Sequence, residues 1–209
     1  MSDHSTDVPE FESVFLDPDA PAPVGLLLDE DRGALPYALI HGEALITCAA
    51  WGMGEAGVLP ADTGWTWDDV REHVELTGAT PVLHDPLCPM TPAPFIAECV
   101  DRAHHQRVVV AAVRPVTDTV KTLDEGFLSE TVDRENLRTV ASPVVLPSSV
   151  VAAMPTLPST HFETLVPLLR EHFPVALVPA PAEARRITTA DDVRVLEELT
   201  RREGGPLGL

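Results

Sequence analysis

The feature that most constrains this chain is an alternation of short apolar runs with segments of helical periodicity. The apolar runs begin at residues 24, 81, 107 and 175 and read VGLLL, PVLHD, RVVVAAV and VALVP. Continuous apolar runs of this length are typical of strands that are covered on both faces. Amphipathic segments separate the runs, so the pattern predicts an α/β domain with three layers.

Several of the helical segments carry start signals. Thr66 can cap WDDVREHVEL, and Thr91 followed by Pro92 is a favourable helix start. Thr189 with Asp192 three residues later forms a capping box at the last helix. Other helices are expected at EALITCAAWGM, ended by Gly52, Gly54 and Gly57, and near residues 148–153 and 160–171.

The alternation predicts one domain over residues 23–203. Residues 1–22 form an acidic, Pro-rich segment that we expect to be disordered, and 204–209 a frayed end. Residues 114–141 interrupt the alternation with a polar, β-prone stretch around a DEG turn. This stretch predicts a two-stranded ribbon, which needs a partner surface for stability.

Composition excludes several classes of function. The net charge of -19 argues against a nucleic-acid surface, which requires clustered cations. No apolar run is long enough for a membrane helix, and the acidic N-terminus is unlike a secretory signal, so we expect a cytoplasmic protein. Three cysteines without CxxC spacing indicate reduced thiols. Thirteen of the fourteen cations are Arg, and the single Lys is Lys121.

Three segments, in this order and spacing, resemble the 2-C-methyl-D-erythritol 4-phosphate cytidylyltransferase family. They are HDPLCP at 84–89, RPVTDTVK through ETVDR at 114–134, and RRITTADDVRVLEEL at 185–199. The resemblance implies a Rossmann-like nucleotidyltransferase sheet with a protruding β-arm over residues 114–141. The family uses this arm to form a homodimer and to reach the partner subunit's active site.

The resemblance also implies roles for residues in the two halves of a site. Asp85 matches an acid that faces the metal and nucleotide, where Asp suits Mg²⁺. Glu183 stands roughly where the family has a second metal-binding acid, and Arg186 stands where it has a late Lys. Arg32 is the candidate to replace a lost cation, so Arg32 and Arg186 are the candidate catalytic residues.

The arm carries the remaining candidates. Thr119 and Arg134 match residues that would hold the methylerythritol phosphate, for which an Arg fork is well suited. Lys121 matches the arm's own Lys. A structural alternative stays open, in which these residues only brace the arm and its dimer contacts, and in which Asp85 only caps its strand.

The departures from the family pattern lie at the nucleotide end. The family has a Gly-rich phosphate loop and a PK pair, whereas residues 26–39 read LLLDEDRGALPYAL, with one glycine and three consecutive acids. The GGxxRxxSV segment has no counterpart, and Cys88 replaces an Arg. We therefore expect a degenerate member that is weakly active or non-catalytic, with CTP or a sugar phosphate as its ligand.

Two alternatives remain. One is an active enzyme that joins CTP and 2-C-methyl-D-erythritol 4-phosphate with release of pyrophosphate, using Mg²⁺. The other is a related nucleotidyltransferase or sugar-phosphate binder with a different substrate. Composition and spacing do not separate them.

Overall fold

The computed structural model describes residues 20–62, 64–116, 120–124, 127–133 and 137–201, with backbone positions only for 120–124 and 127–132. The strands, in chain order, are β1 (Val24–Leu27), β2 (Leu39–Ile40), β3 (Glu43–Ala44), β4 (Leu59–Pro60), β5 (Pro81–His84), β6 (Val109–Pro115), β7 (Val120–Asp124), β8 (Phe127–Val132), β9 (Arg138–Val145) and β10 (Val175–Pro179). The helices are α1 (Leu45–Glu55), α2 (Trp67–Thr77), α3 (Ala93–Gln106), α4 (Ser148–Ala152), α5 (Phe162–His172) and α6 (Ala190–Thr200).

A six-stranded sheet forms the middle layer, in the order β10, β6, β9, β5, β1 and β4. Strand β9 runs antiparallel to β5 and β6, and the other neighbours pair in parallel. The carboxyl ends of the five parallel strands therefore lie along one edge of the sheet. Open sheets of this kind bind ligands at that edge.

Apolar side chains cover both faces of the sheet. Helices α2, α4 and α5 pack on one face, where Val74, Val151 and Leu165 join the core. Helices α1 and α3 pack on the other, through Met53 and Ile96 among others. The predicted three-layer α/β architecture is confirmed. No helix in the described part of the chain is long and apolar enough to span a bilayer.

A third apolar cluster joins α6 to the edge of the sheet that holds the candidate site. Ile187 and Leu196 are completely buried against Leu45 and Leu87. The backbone N–H of Ile187 donates to the carbonyl of Leu87 at 2.7 Å. These contacts fix the segment before α6 against the loop that follows β5.

The cap expected at Thr66 and the capping box expected at Thr189 are both present, and the cap at Thr66 is also a capping box, completed by Asp69. Residues 120–124 and 127–132 form the expected antiparallel ribbon, in which Lys121 on β7 pairs with Thr131 on β8. The ribbon is a two-stranded sheet of its own.

Two features differ from the sequence expectation. Helix α1 continues through Gly52 and Gly54 and ends at Glu55. A Cβ at Gly52 would lie 3.2 Å from the carbonyl oxygen of Thr91, so this glycine permits close packing and does not end the helix. Gly57, with a φ of 77°, lies in the turn beyond the helix.

The second difference is β9, a central strand that the sequence analysis did not predict. Its sequence contains Ser142 and Pro143, which interrupt the apolar pattern of a buried strand. Pro143 lies where the register between β6 and β9 shifts, and a proline in a strand is tolerated at such an irregularity. Because its apolar pattern is interrupted, the hydrophobic periodicity of the sequence did not predict this strand.

Candidate functional site

The loops that follow β1, β5 and β10 meet at the carboxyl edge of the sheet. They bring together three residues that the sequence predicted for the site, Arg32, Asp85 and Arg186. We call these three residues the Asp85 cluster.

Asp85 lies directly after β5, and its side chain is 4% exposed. Its Oδ1 accepts hydrogen bonds from the backbone N–H of Leu87 at 3.0 Å and from Arg32 Nε at 3.4 Å. Its Oδ2 accepts from Arg186 Nε at 2.8 Å. The backbone N–H of Asp85 donates to Ser142 Oγ at 3.0 Å. Both carboxylate oxygens are therefore engaged within the protein.

Arg32 is buried and connects the β1 loop to the start of α5. Its Nη1 donates to the carbonyl of Glu30 at 3.1 Å and to Nδ1 of His161 at 2.8 Å. Its Nη2 donates to the carbonyl of Thr160 at 3.0 Å. Together with the bond to Asp85, these contacts give every guanidinium nitrogen an acceptor.

Arg186 is more accessible than Arg32, because its side chain is 31% exposed. Burial alone would lower the pKa of the Arg186 guanidinium, but the hydrogen bond and charge of Asp85 outweigh burial and raise it. Within the described residues, its two Nη groups have no hydrogen-bond partner. They are the donors of the cluster that an anionic ligand can reach.

The Asp85 cluster holds two guanidiniums against one carboxylate in a largely buried position. Taking such charges out of water costs several kcal/mol per ion, so each depends on its partners. A Mg²⁺ ion at Asp85 would have to share Oδ2 with the Arg186 guanidinium, whose positive charge opposes a second cation beside it. Among the described residues, no three His, Cys, Asp or Glu side chains cluster as a metal site.

His84 and Ser142 form a buried polar pair beneath the cluster. Ser142 Oγ and His84 Nδ1 are within hydrogen-bonding distance, and Nε2 of His84 has no partner among the residues that the structure describes. Burial lowers the pKa of His84 to about 4, although the neighbouring Asp85 acts in the opposite direction. The imidazole is therefore neutral at pH 7, and we infer that its role is to position Asp85 through Ser142.

The structure does not join the other predicted site residues that it describes to the Asp85 cluster. Glu183 is half-buried in a short 3₁₀ helix, Ala182–Ala184, and no described hydrogen bond or ion pair joins it to the cluster. Lys121 lies on β7. Thr119 and Arg134 lie outside the described residues. A metal site at Asp85 and Glu183, and a substrate site on the arm, stay predictions.

The loop after β1 turns part of its backbone inward. The N–H of Leu28 donates to the carbonyl of His84 at 2.9 Å, and that of Arg32 donates to the carbonyl of Asp29 at 3.2 Å. A phosphate loop instead directs successive N–H groups at its ligand. These two amides are therefore unavailable to a phosphate.

A cleft of about 580 Å³ lies beside this loop, between β1, α1 and β4. Its lining is mostly apolar and includes Trp51 and Trp65, together with the acidic residues Asp29, Glu30 and Asp62. Trp51 is 56% exposed. Its place on α1 beside the β1 loop is a tertiary relationship that local sequence does not reveal.

His161 and Ser142 were also missed as parts of the site. Both contact the Asp85 cluster from elements far away in sequence, the start of α5 and the strand β9. Neither has a motif around it. Only the unusual occurrence of a serine within an apolar strand hints at Ser142.

A family model described as 2-C-methyl-D-erythritol 4-phosphate cytidylyltransferase matches residues 72–202. The match contains Asp85 and Arg186. It begins after the β1 loop that carries Arg32, the region in which the sequence departs most from the family.

Curated relatives agree with this match. A bifunctional IspD/IspF enzyme of Clavibacter michiganensis is 32% identical over 60% of this chain and 31% of the relative. Two further relatives are named 2-C-methyl-D-erythritol 4-phosphate cytidylyltransferase. The enzyme of Syntrophus aciditrophicus is 29% identical over 59% of this chain and 55% of the relative. The enzyme of Nocardia farcinica is 34% identical over 58% of this chain and 53% of the relative. The chain spans about half or less of the length of these relatives.

Solved structures show the same fold. The cytidylyltransferase of Thermus thermophilus superposes with a TM-score of 0.63 at 21% identity, covering 87% of this chain and all of that one. A 4-diphosphocytidyl-2C-methyl-D-erythritol synthase superposes with a TM-score of 0.64 at 17% identity, covering 86% and 98%. The sequence match and the shared fold together lead to one conclusion: the chain belongs to the 2-C-methyl-D-erythritol 4-phosphate cytidylyltransferase family.

Proposed function

We propose that this chain is a cytidylyltransferase-like homodimer with a degenerate CTP site, which transfers CMP weakly or not at all. We expect it to act in the cytoplasm, with CTP or a sugar phosphate as its ligand and without nucleic-acid or membrane partners. The observation that carries the proposal is that Arg32 and Arg186 both donate to Asp85.

Nucleotidyl transfer depends on cations and amide groups that face the phosphates. Arg32 is buried and has acceptors for all its nitrogens, so it meets a triphosphate only if the β1 loop opens. Arg186 keeps its two Nη groups and is partly exposed. One accessible guanidinium is enough for weak binding of an anion. It is not enough to stabilise the charge on a phosphate during transfer.

The surroundings of the cluster add negative charge. Asp31 lies 3.9 Å from His161 Nε2, and Glu163 lies 3.7 Å from His161 Nδ1, each measured from a carboxylate oxygen. Both carboxylates are largely exposed. They oppose the approach of a triphosphate, and this repulsion supports weak binding of CTP.

Isothermal titration with CTP in excess Mg²⁺, before and after addition of 2-C-methyl-D-erythritol 4-phosphate, tests the proposal. An active family member is the positive control. We expect no measurable heat, or a dissociation constant in the millimolar range. Where weak binding is seen, Arg186→Ala should abolish it, and Arg194→Ala, at a side chain that is 83% exposed on α6, should not.

Micromolar binding of CTP would contradict the degenerate site and favour the active enzyme. Pyrophosphate release would then be measured for the natural sequence, Arg32→Ala and Asp85→Ala. In an active enzyme the two variants should lose most of the rate, because each removes a charge from the cluster.

The dimer is a separate part of the proposal. The N–H of Val116 donates to the carbonyl of Leu137 at 3.4 Å, so the two ends of the arm are adjacent. A short Gly-Ser linker can therefore replace the residues between them. We expect the full chain to sediment as a dimer and the armless variant as a folded monomer. A full chain that sediments as a monomer at micromolar concentration would contradict the homodimer.

A further inference from the structure

We propose that the cleft between β1, α1 and β4 binds an organic cation with an apolar body, an aliphatic or aromatic ammonium compound. The proposal rests on the degenerate CTP site, because Asp29 and Glu30, which line the cleft, belong to the loop that stands where the family has its phosphate loop. The lining of the cleft combines the exposed Trp51 and the partly buried Trp65 with acidic residues.

The size and lining of the cleft suit a small molecule. Its volume of about 580 Å³ lies within the range of ordinary ligand pockets, which are mostly apolar with a few polar groups. Met53 and Val58 are buried and form part of its apolar wall. Trp51 and Trp65 add aromatic surface, and Trp51 is more than half exposed without a ligand. An apolar ring or chain fits this wall.

The charges of the cleft select the sign of its ligand. Asp29, Glu30 and Asp62 line it, and no Lys, Arg or His is among the described residues that do so. In the part of the chain that the structure describes, these three carboxylate groups make no side-chain hydrogen bond or ion pair. An ammonium group supplies the missing counter-charge, whereas a phosphate or carboxylate would be repelled.

The two tryptophans of the cleft also favour a cationic ligand. The face of an indole ring attracts a cation, and Trp does so more strongly than Tyr or Phe. A ligand that places its apolar body on the wall and its ammonium near Trp51 and Asp29 would use both attractions. A neutral analogue of such a ligand loses the attraction to the carboxylates and to the indole face. An anionic analogue is repelled by the carboxylates.

Three probes of nearly equal size, benzylamine, benzyl alcohol and benzoate, test this selection at pH 7. Binding is followed by isothermal titration and by quenching of tryptophan fluorescence. We expect benzylamine to bind about tenfold more tightly than benzyl alcohol, as a cation–π contact and one carboxylate would give, and benzoate not to bind. Equal binding of the three probes, or no binding of benzylamine, would overturn the proposal.

Two variants and a matched control locate the binding. Asp29→Asn combined with Asp62→Asn should weaken benzylamine about tenfold and leave benzyl alcohol unchanged. Trp51→Ala should weaken both probes, and it leaves the core intact because the side chain is largely exposed. Glu55→Gln changes a carboxylate on the same helix that does not line the cleft, and should have no effect. A similar loss in Glu55→Gln would mean that the cation binds only to the general acidic surface.

CTP and benzylamine are each titrated alone under the same conditions, so that the two results report separately on the degenerate site and on the cation site. Absent or millimolar binding of CTP, together with no selection for benzylamine, would reject the cation site alone. Selective binding of benzylamine together with micromolar CTP would reject the degenerate site alone.

Discussion

Arg186 donates from Nε to Oδ2 of Asp85 across 2.8 Å, although 101 residues separate them in the chain. Arg32, in the loop after β1, donates to the other carboxylate oxygen, Oδ1. The cluster thus ties the loops after β1 and β5 and the segment before α6 to one buried carboxylate. The same contacts hold this edge of the sheet together and engage Arg32 completely, whereas Arg186 uses only its Nε in them.

The first prediction concerns the stability of this cluster. Asp85→Asn removes the negative charge and leaves two guanidiniums facing each other, one of them in a side chain that is 2% exposed. Breaking such a buried pair should lower the free energy of unfolding by about 3 to 5 kcal/mol. Urea denaturation followed by circular dichroism measures the loss.

The matched control for Asp85→Asn is Asp68→Asn. Asp68 also pairs with an Arg, but its side chain is 83% exposed. Its replacement should change the free energy of unfolding by no more than about 0.5 kcal/mol. A loss below 1 kcal/mol in Asp85→Asn would show that the buried charges do not depend on one another.

The second prediction concerns pH and His84. The pKa of His84 is about 4 in the fold, against 6.5 for an unperturbed histidine, because the ring is buried. As the pH falls below 6.5 the unfolded chain takes up the proton first, so the free energy of unfolding decreases down to pH 4 and then levels off. Between pH 7 and pH 5 this contribution should amount to about 2 kcal/mol.

Comparison with His84→Asn isolates that contribution from the other titrating groups. The decrease between pH 7 and pH 5, measured by urea denaturation, should be smaller in the variant by about 2 kcal/mol. An identical pH dependence in the two proteins would mean that His84 does not remain neutral in the fold.

The third prediction concerns the start of α6. Partial burial would raise the pKa of Asp192, but hydrogen bonds from the backbone and hydroxyl groups of Thr188 and Thr189 outweigh it and lower the pKa strongly. The carboxylate therefore stabilises the fold above the pKa of an ordinary Asp, and that stability is lost as the pH falls below about 4. Asp192→Asn should cost about 1 to 2 kcal/mol at pH 7.

Asp191→Asn is the neighbouring control, because the Asp191 side chain is 89% exposed. It should leave the midpoint of urea denaturation nearly unchanged at pH 7. Equal costs for the two substitutions would assign the effect to the charge near the helix start and not to the capping hydrogen bonds.

The fourth prediction concerns the three thiols. Burial raises the pKa of Cys88 far above its usual range and that of Cys99 to about 12. Cys48 is half-buried, and its pKa is also raised, chiefly by burial. Because the thiolate is the reactive form, the folded protein should react slowly with a disulfide reagent at pH 8, through Cys48 before the others.

Mass spectrometry of the labelled protein identifies the modified residue, and labelling in urea should modify all three thiols at the ordinary rate. Rapid labelling of Cys88 in the folded protein would contradict its burial. It would also indicate that the loop after β5 opens easily.

The sequence alone determined the layered α/β architecture, because alternating apolar runs and capped amphipathic segments are local patterns. Thr66 and Thr189 illustrate this, since each capping box is complete within four residues. The motif around Asp85 and the segment that carries Arg186 also led directly to the family. The ribbon was predicted from its alternation and turn.

Only the tertiary structure decided how those residues are used. That Arg32 and Arg186 neutralise Asp85, that Ser142 of an unpredicted strand holds the Asp85 backbone, and that Trp51 is exposed in a cleft all depend on contacts between distant elements. A sequence pattern shows which side chains of one helix or strand face the core and which face solvent. The charges that meet at the end of a sheet are set by the order of its strands and by the loops that this order brings together.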